Sequence, residues 1–125
     1  MEPPRRTLLV VDDSPTNLTL ITEVLRERYK LAVATRGTRA VELARERLPD
    51  LILLDVEMPE MDGYMLTRQV KSDPRLSRLP VIMHSSLSGT QNLQLGKSVG
   101  VDEYVSKFEP QKLADAIARQ LREAA

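Results

Sequence analysis

Two short apolar runs, each ended by aspartate, constrain this chain more than any other feature. Leu8-Leu9-Val10-Val11 stops at Asp12-Asp13, and Leu51-Ile52-Leu53-Leu54 stops at Asp55. Four-residue runs of Leu, Val and Ile bounded by polar residues read as strands buried on both faces, the pattern of parallel sheets. In such sheets functional groups collect just beyond the carboxyl ends of the strands. If the two strands are neighbours, three carboxylates converge on one crevice. At ~4 Å each pair of unit charges repels by roughly 4 kcal/mol at an effective dielectric of 20. The group therefore requires a proton, a basic side chain or a metal among its members. Hard oxygen ligands with open positions suit Mg²⁺, so the expectation is a metal-assisted phosphate site.

A chain of 125 residues is one domain by length, long enough to bury a sizeable core. Its 18 basic and 18 acidic residues are scattered, with no basic stripe for nucleic acid and no polybasic membrane patch. The lack of cysteine excludes disulfides, thiolate metal sites and a cysteine nucleophile. No apolar stretch approaches the ~18 residues of a membrane span, and Met1-Glu2-Pro3-Pro4-Arg5-Arg6 lacks a signal-peptide core. The expectation is a cytoplasmic domain over 7–125 behind a short disordered tail, 1–6. Phe108 is the only phenylalanine and Trp is absent, so the core must be aliphatic.

Strand and helix patterns alternate along the chain. A first strand over 7–11 is followed by Ser14-Pro15, an N-cap with proline at the first helical position. Leu18, Ile21 and Leu25, with Val24 beside them, mark a helix face through about Glu27. A weaker strand over 31–34 precedes a helix that opens at Gly37 and carries Ala40, Val41, Ala44 and Leu48. The third strand is 51–54. Met61-Asp62-Gly63 reads as a turn, and Leu66 and Val70 line a helix ending at Asp73-Pro74. A fourth strand over 81–83 runs into His84-Ser85-Ser86, and 90–99 is a poor helix with Gly96 inside it. Tyr104-Val105 is a short fifth strand ending at Lys107, and Pro110 starts a last helix with Leu113, Ile117 and Leu121 at spacing four. Five strand–helix units in order argue for an α/β doubly wound parallel sheet.

The strand ends supply Asp12, Asp13, Asp55, Ser85 and Lys107, a coherent kit for phosphoryl transfer to a carboxylate. Asp55 can act as nucleophile and form an acyl phosphate. Asp12 and Asp13 can hold Mg²⁺, directly or through water. Lys107 offers a positive charge to Asp55 and then to a phosphoryl oxygen, and Ser85 offers a hydroxyl donor. Phosphoryl transfer needs mainly positioning and charge stabilisation, so no separate general base is required.

These residues resemble the receiver domain of two-component response regulators, the CheY-like family. The likeness rests on Asp12-Asp13, on Asp55-Val56-Glu57-Met58-Pro59 followed by Met61-Asp62-Gly63, on Ser85 and on Lys107, and it covers the chain after the tail. It implies a flavodoxin-like (βα)5 fold with five parallel strands in the order 2-1-3-4-5. It implies phosphorylation of Asp55 by a histidine kinase, with Mg²⁺ held by Asp13, Asp55 and the backbone carbonyl of Glu57 and assisted by Asp12. It also implies a switch in which Tyr104 changes rotamer with Ser85. The output is then a downstream protein docked on the face built from 90–99, Tyr104 and the helix after Pro110. Such a domain catalyses only its own phosphorylation and dephosphorylation.

Within the family, Asp55-Val56-Glu57-Met58-Pro59, His84-Ser85-Ser86-Leu87-Ser88-Gly89 and Lys107-Phe108-Glu109-Pro110 resemble the receiver half of CheV-type chemotaxis coupling proteins. The first half is more similar to receivers joined to signalling-output enzymes. The sequence has no CheW-like half, so the chain is expected to be excised or free-standing. It departs from the family pattern where Phe108 replaces the proline that often follows the lysine, and where Ser86 replaces a small apolar residue.

The plainer readings are few. His84 is a structural strand-end histidine, and Met58, Met61 and Met65 are turn and helix packing. Glu57 also reads as a solvent-facing loop residue, and Tyr104 as a half-buried strand tyrosine. Two competing functions are a small Mg²⁺-dependent aspartyl-phosphate phosphatase and a receiver-like interaction module that is never phosphorylated. The phosphatase wants its nucleophile on the first strand with a second aspartate two residues on, which Asp12-Asp13-Ser14 does not provide. A nucleotide-binding role is weaker still, since no glycine-rich phosphate loop follows the first strand.

Overall fold

The computed structural model describes residues 5–55, 63–85, 100–106 and 109–122. Its elements run β1 (Thr7–Val11), α1 (Pro15–Leu25), β2 (Lys30–Ala34), α2 (Gly37–Arg47), β3 (Leu51–Asp55), α3 (Gly63–Ser72), β4 (Val81–Ser85), β5 (Glu103–Ser106) and α4 (Pro110–Gln120). All strand pairs are parallel and the order is β2-β1-β3-β4-β5. This is the doubly wound architecture expected from the alternating pattern, in the flavodoxin-like strand order that the resemblance implies.

Both apolar runs are buried along their length because both faces of the sheet are covered. Side chains alternate across a strand. Leu9, Val11, Ile52, Leu54 and Met83 therefore meet Ala40, Leu43 and Ala44 of α2 and Leu66 and Val70 of α3. Leu8, Val10, Leu51, Leu53 and Ile82 meet Ile21 and Leu25 of α1 and Leu113, Ala116 and Ile117 of α4 on the opposite face. Each fully buried aliphatic side chain contributes about 1.5–3 kcal/mol relative to exposure, so the central strands anchor the domain.

Two aspartates fix strand register at the amino-terminal end of the sheet. Asp50 accepts from the Thr7 backbone N–H at 2.8 Å while its own N–H donates to the Thr7 carbonyl at 2.7 Å. Asp102 does the same to Val81, accepting from its N–H at 2.8 Å and donating to its carbonyl at 2.9 Å. Lys71 completes that clasp, its Nζ donating to Asp102 Oδ2 and to the Leu79 carbonyl, both at 2.9 Å.

Several boundaries differ from the sequence expectation. Arg5 and Arg6, placed in the tail, are tied down by donating to the carbonyls of Arg26 and Leu121; residues 1–4 lie outside the described residues. α1 stops at Leu25, so Glu27 is past its end and Val24 is exposed. α2 stops at Arg47 because Leu48 adopts a left-handed φ of 44° and turns outward. Met65 is exposed on α3 rather than packed. Asp55 and Ser85 are the last residues of their strands, which run past the expected ends at 54 and 83. The poor helix expected over 90–99 lies outside the described residues.

Candidate phosphoacceptor and metal site

β1 and β3 are neighbours, with Val11 opposite Leu54. Asp12 and Asp55 each follow one member of that pair, and their carboxylates arrive side by side. Asp12 is fully buried, Asp55 is 3 % exposed and Asp13, one residue further, is exposed. One carboxylate oxygen from each of the three lies within 4.8 Å of the others.

The local chain explains why Asp12 and Asp13 part ways. The Asp12 N–H donates to the Ala34 carbonyl at 3.1 Å, extending the β1–β2 ladder by one residue and keeping its side chain inside. Its Oδ1 accepts from the Ser14 N–H at 2.8 Å, a side-chain turn that redirects the backbone into α1. Ser14 then caps that helix, its hydroxyl accepting from the Asn17 N–H, with Pro15 at the first position. Sequence reading found the cap but not the Asp12–Ser14 bond, although an aspartate two residues before the capping serine is its signature.

Two buried carboxylates and a third beside them form an all-oxygen donor set. Each pair repels by several kcal/mol at this spacing even at an effective dielectric of ~20. A hard divalent cation is the ligand that such a set fits, and Mg²⁺ favours carboxylates supplemented by water and phosphate oxygens. Asp12, Asp13 and Asp55 are thus brought together as the sequence predicted. Ser85 ends β4 and pairs with Ser106, the residue before Lys107; the Ser85 backbone is one residue beyond His84, the register partner of Asp55. Glu57 and Lys107 lie outside the described residues, as does the Lys107-Phe108 peptide.

His84 is buried at 5 % exposure on the α1/α4 side of the sheet. It lines a cavity of about 230 Å³ with Asn17, Leu20, Ile21, Val24, Pro110 and Leu113. Tyr104 is half-buried opposite Met83 and packs against the α2/α3 face of the core. No helix among the described residues is long and apolar enough to cross a membrane.

The sequence profile of the family described as "Response regulator receiver domain" matches residues 8–118. Over 101 residues, 81% of this chain, the sequence is 39% identical to a Vibrio cholerae protein named "Probable cyclic di-GMP phosphodiesterase", of which it covers 23%. It is 37% identical over 98% of its length to the DNA-binding response regulator MtrA of Mycolicibacterium smegmatis, of which it covers 53%. The chain therefore spans about half, or less, of the length of these relatives. Among solved structures, the chemotaxis protein CheY4 of Vibrio cholerae superposes with a TM-score of 0.87 at 27% identity, over 93% of this chain and 98% of that one.

Proposed function

The chain belongs to the family of response regulator receiver domains, and from that premise we propose that it takes a phosphoryl group on Asp55 from a histidine kinase in a Mg²⁺-dependent reaction. The observation that carries the reading is the buried Asp55 carboxylate held against Asp12 and Asp13 at the end of β3. An Asp55 carboxylate oxygen attacks phosphorus. The new O–P bond forms as the P–N bond of a phosphohistidine breaks, and the leaving imidazole takes up a proton.

Asp13 and Asp55 would hold the metal with the Glu57 carbonyl, and Asp12 would assist. When bound, Mg²⁺ neutralises charge on the transferring oxygens. The burial of Asp12 and its bond to the Ser14 N–H fix that carboxylate before any ligand arrives, which suits a reaction governed by positioning. To Lys107 we assign the positive charge that pairs with the phosphoryl oxygens, and to Ser85 a hydroxyl donor.

Phosphorylation would switch a protein-interaction surface through Ser85 and Tyr104. A chemotaxis pathway is the finer reading; the likeness to CheY4 supports it, beside the resemblance to CheV-type receivers read from the sequence of the second half. Cytoplasmic action follows from the kinase partner.

The test is intact mass after incubation with acetyl phosphate and Mg²⁺. Wild type is expected to gain one phosphoryl group, and Asp55→Asn none. A fully labelled Asp55→Asn would move the acceptor elsewhere, and an unlabelled wild type would favour an interaction module that is never phosphorylated.

A further inference from the structure

At the pole opposite the aspartates, the amino-terminal ends of the strands surround an open bowl of about 560 Å³ lined by Arg6, Arg78, Arg119 and Arg122 with Asp50 and Asp102. Strands of five residues at ~3.3 Å rise put roughly 16 Å between the two poles. We propose that this bowl binds the phosphate groups of a nucleotide-sized ligand.

The charges in the bowl do not cancel. Asp102 is paired with Lys71, whereas Asp50 accepts only from the neutral Thr7 N–H and keeps its charge. Arg119 is held by Glu103 in a two-pronged ion pair, at 2.6 and 3.3 Å. Arg6 spends one donor on the Leu121 carbonyl. Among the described residues, Arg6, Arg78 and Arg122 have no carboxylate partner. Three arginines without a carboxylate partner thus line one concavity, against the single uncompensated charge of Asp50.

Basic residues at helix carboxyl ends often serve only to complement the helix dipole. That accounts for Arg122, which follows α4, and for the one donor of Arg6 that caps the Leu121 carbonyl at the end of that helix, but not for Arg78 or for the remaining donors of Arg6. Guanidinium is planar, always charged and matched to two oxygens at once, which suits phosphate. A single carboxylate would occupy one fork, whereas a diphosphate brings enough charge and oxygens for all three. The volume falls within the ~300–1,000 Å³ of small-molecule sites and exceeds what one orthophosphate fills. The bowl is remote from Asp55 and does not depend on the phosphorylation reading.

The experiment is titration of the full chain at ~0.15 M salt, with a chelator present so that metal-bridged binding at the aspartates is excluded. The probes are inorganic pyrophosphate, ATP and tetraglutamate, followed by amide chemical shifts. Pyrophosphate and ATP are expected to shift amides around Arg6, Leu79 and Leu121, with ATP the tighter. Asp55→Asn is expected to bind as wild type does. The double variant Arg78→Ala/Arg122→Ala, both exposed positions, is expected to lose affinity roughly tenfold or more, over 1.4 kcal/mol, with amide shifts outside the bowl unchanged. No saturable shift at millimolar pyrophosphate, or undiminished binding by the double variant, would overturn the site. Tetraglutamate binding as tightly as pyrophosphate would make it a surface for acidic peptide instead, and ATP binding no better than pyrophosphate would remove the nucleotide.

Discussion

Asp12 and Asp55 sit at corresponding positions on neighbouring strands, each the residue after one member of the Val11–Leu54 register pair. Parallel pairing sends both chains the same way, so the two carboxylates emerge together at one edge of the sheet. A one-residue slip of β3 against β1 would turn Leu54 off its core face and separate the acids. The bonds between Asp50 and Thr7 at the other end of the strands guard against that slip. Hydrophobic patterning and the acidic site are therefore two consequences of a single register.

The burial of Asp12 and the exposure of Asp13 divide their roles toward a cation. Asp12 has one oxygen occupied by the Ser14 N–H, whereas Asp13 is free to turn toward an ion at the mouth. Asp13→Asn is expected to weaken Mg²⁺ binding more than Asp12→Asn, for which the outer-position range of about 10–100-fold applies. Amide-shift titration with Mg²⁺ measures both, since the chain has no tryptophan. A larger loss for Asp12→Asn would exchange the two roles.

Two backbone positions should respond in opposite directions. Gly100 has φ of +98°, and a Cβ there would lie 3.1 Å from Lys71 Cγ. Gly100→Ala is expected to destabilise by more than about 1 kcal/mol, and it would press on the Lys71–Asp102 clasp. Leu48 has φ of 44° while its side chain is 58 % exposed. The left-handed conformation costs an L-residue about 1–2 kcal/mol, against ~0.5–1 kcal/mol of extra chain entropy for glycine. Leu48→Gly should therefore stabilise by roughly 0.5–1 kcal/mol. Urea midpoints of the two variants on the same side of wild type would contradict this account.

The strand cores and the acid cluster were legible because their signals are local and chemically strict. Leu8–Val11 and Leu51–Leu54 fit only a doubly covered strand, and aspartates at their ends fit the carboxyl edge of a parallel sheet. Helix ends were less legible. The termination at Leu48 is made by a backbone conformation that glycine usually signals, and leucine gives no such signal. Burial of Tyr29 at 3 % and of Leu76 at 0 % also went unforeseen. Both lie in connecting segments, where periodicity is silent and tertiary packing decides. Exposure of Met65 is the converse: an apolar side chain on a helix whose core face is already filled by Leu66 and Val70.

Asp73 gives a pH test of the α2–α3 contact. The Arg75 backbone N–H and then the Arg45 guanidinium hold its carboxyl below the usual range. A depressed carboxylate contributes stability that is present above its unfolded pKa, about 3.9, and is lost as pH falls through the folded value. The melting midpoint of Asp73→Asn should thus lie below wild type near neutrality, and the gap should close in acid. A gap unchanged from about pH 7 to about pH 2 would assign the effect to shape rather than charge.

The reach of the proposed switch is tested at Tyr104. It is half-buried opposite Met83, and Ser85 and Ser106 form the register pair two residues further toward the site. A phosphoryl group adds about 1.5–2 negative charges at Asp55, and a charge of that size biases any neighbouring element with two accessible arrangements. Beryllofluoride with Mg²⁺ is expected to shift amides at Asp12, Asp13 and Asp55, and also at Tyr104 and along α4. Tyr104→Ala should keep the first set and diminish the second. Shifts confined to the strand ends in wild type would mean that the charge does not reach this face. The output surface would then have to be sought elsewhere, beginning with α1, whose exposed Leu20 and Val24 flank the His84 cavity.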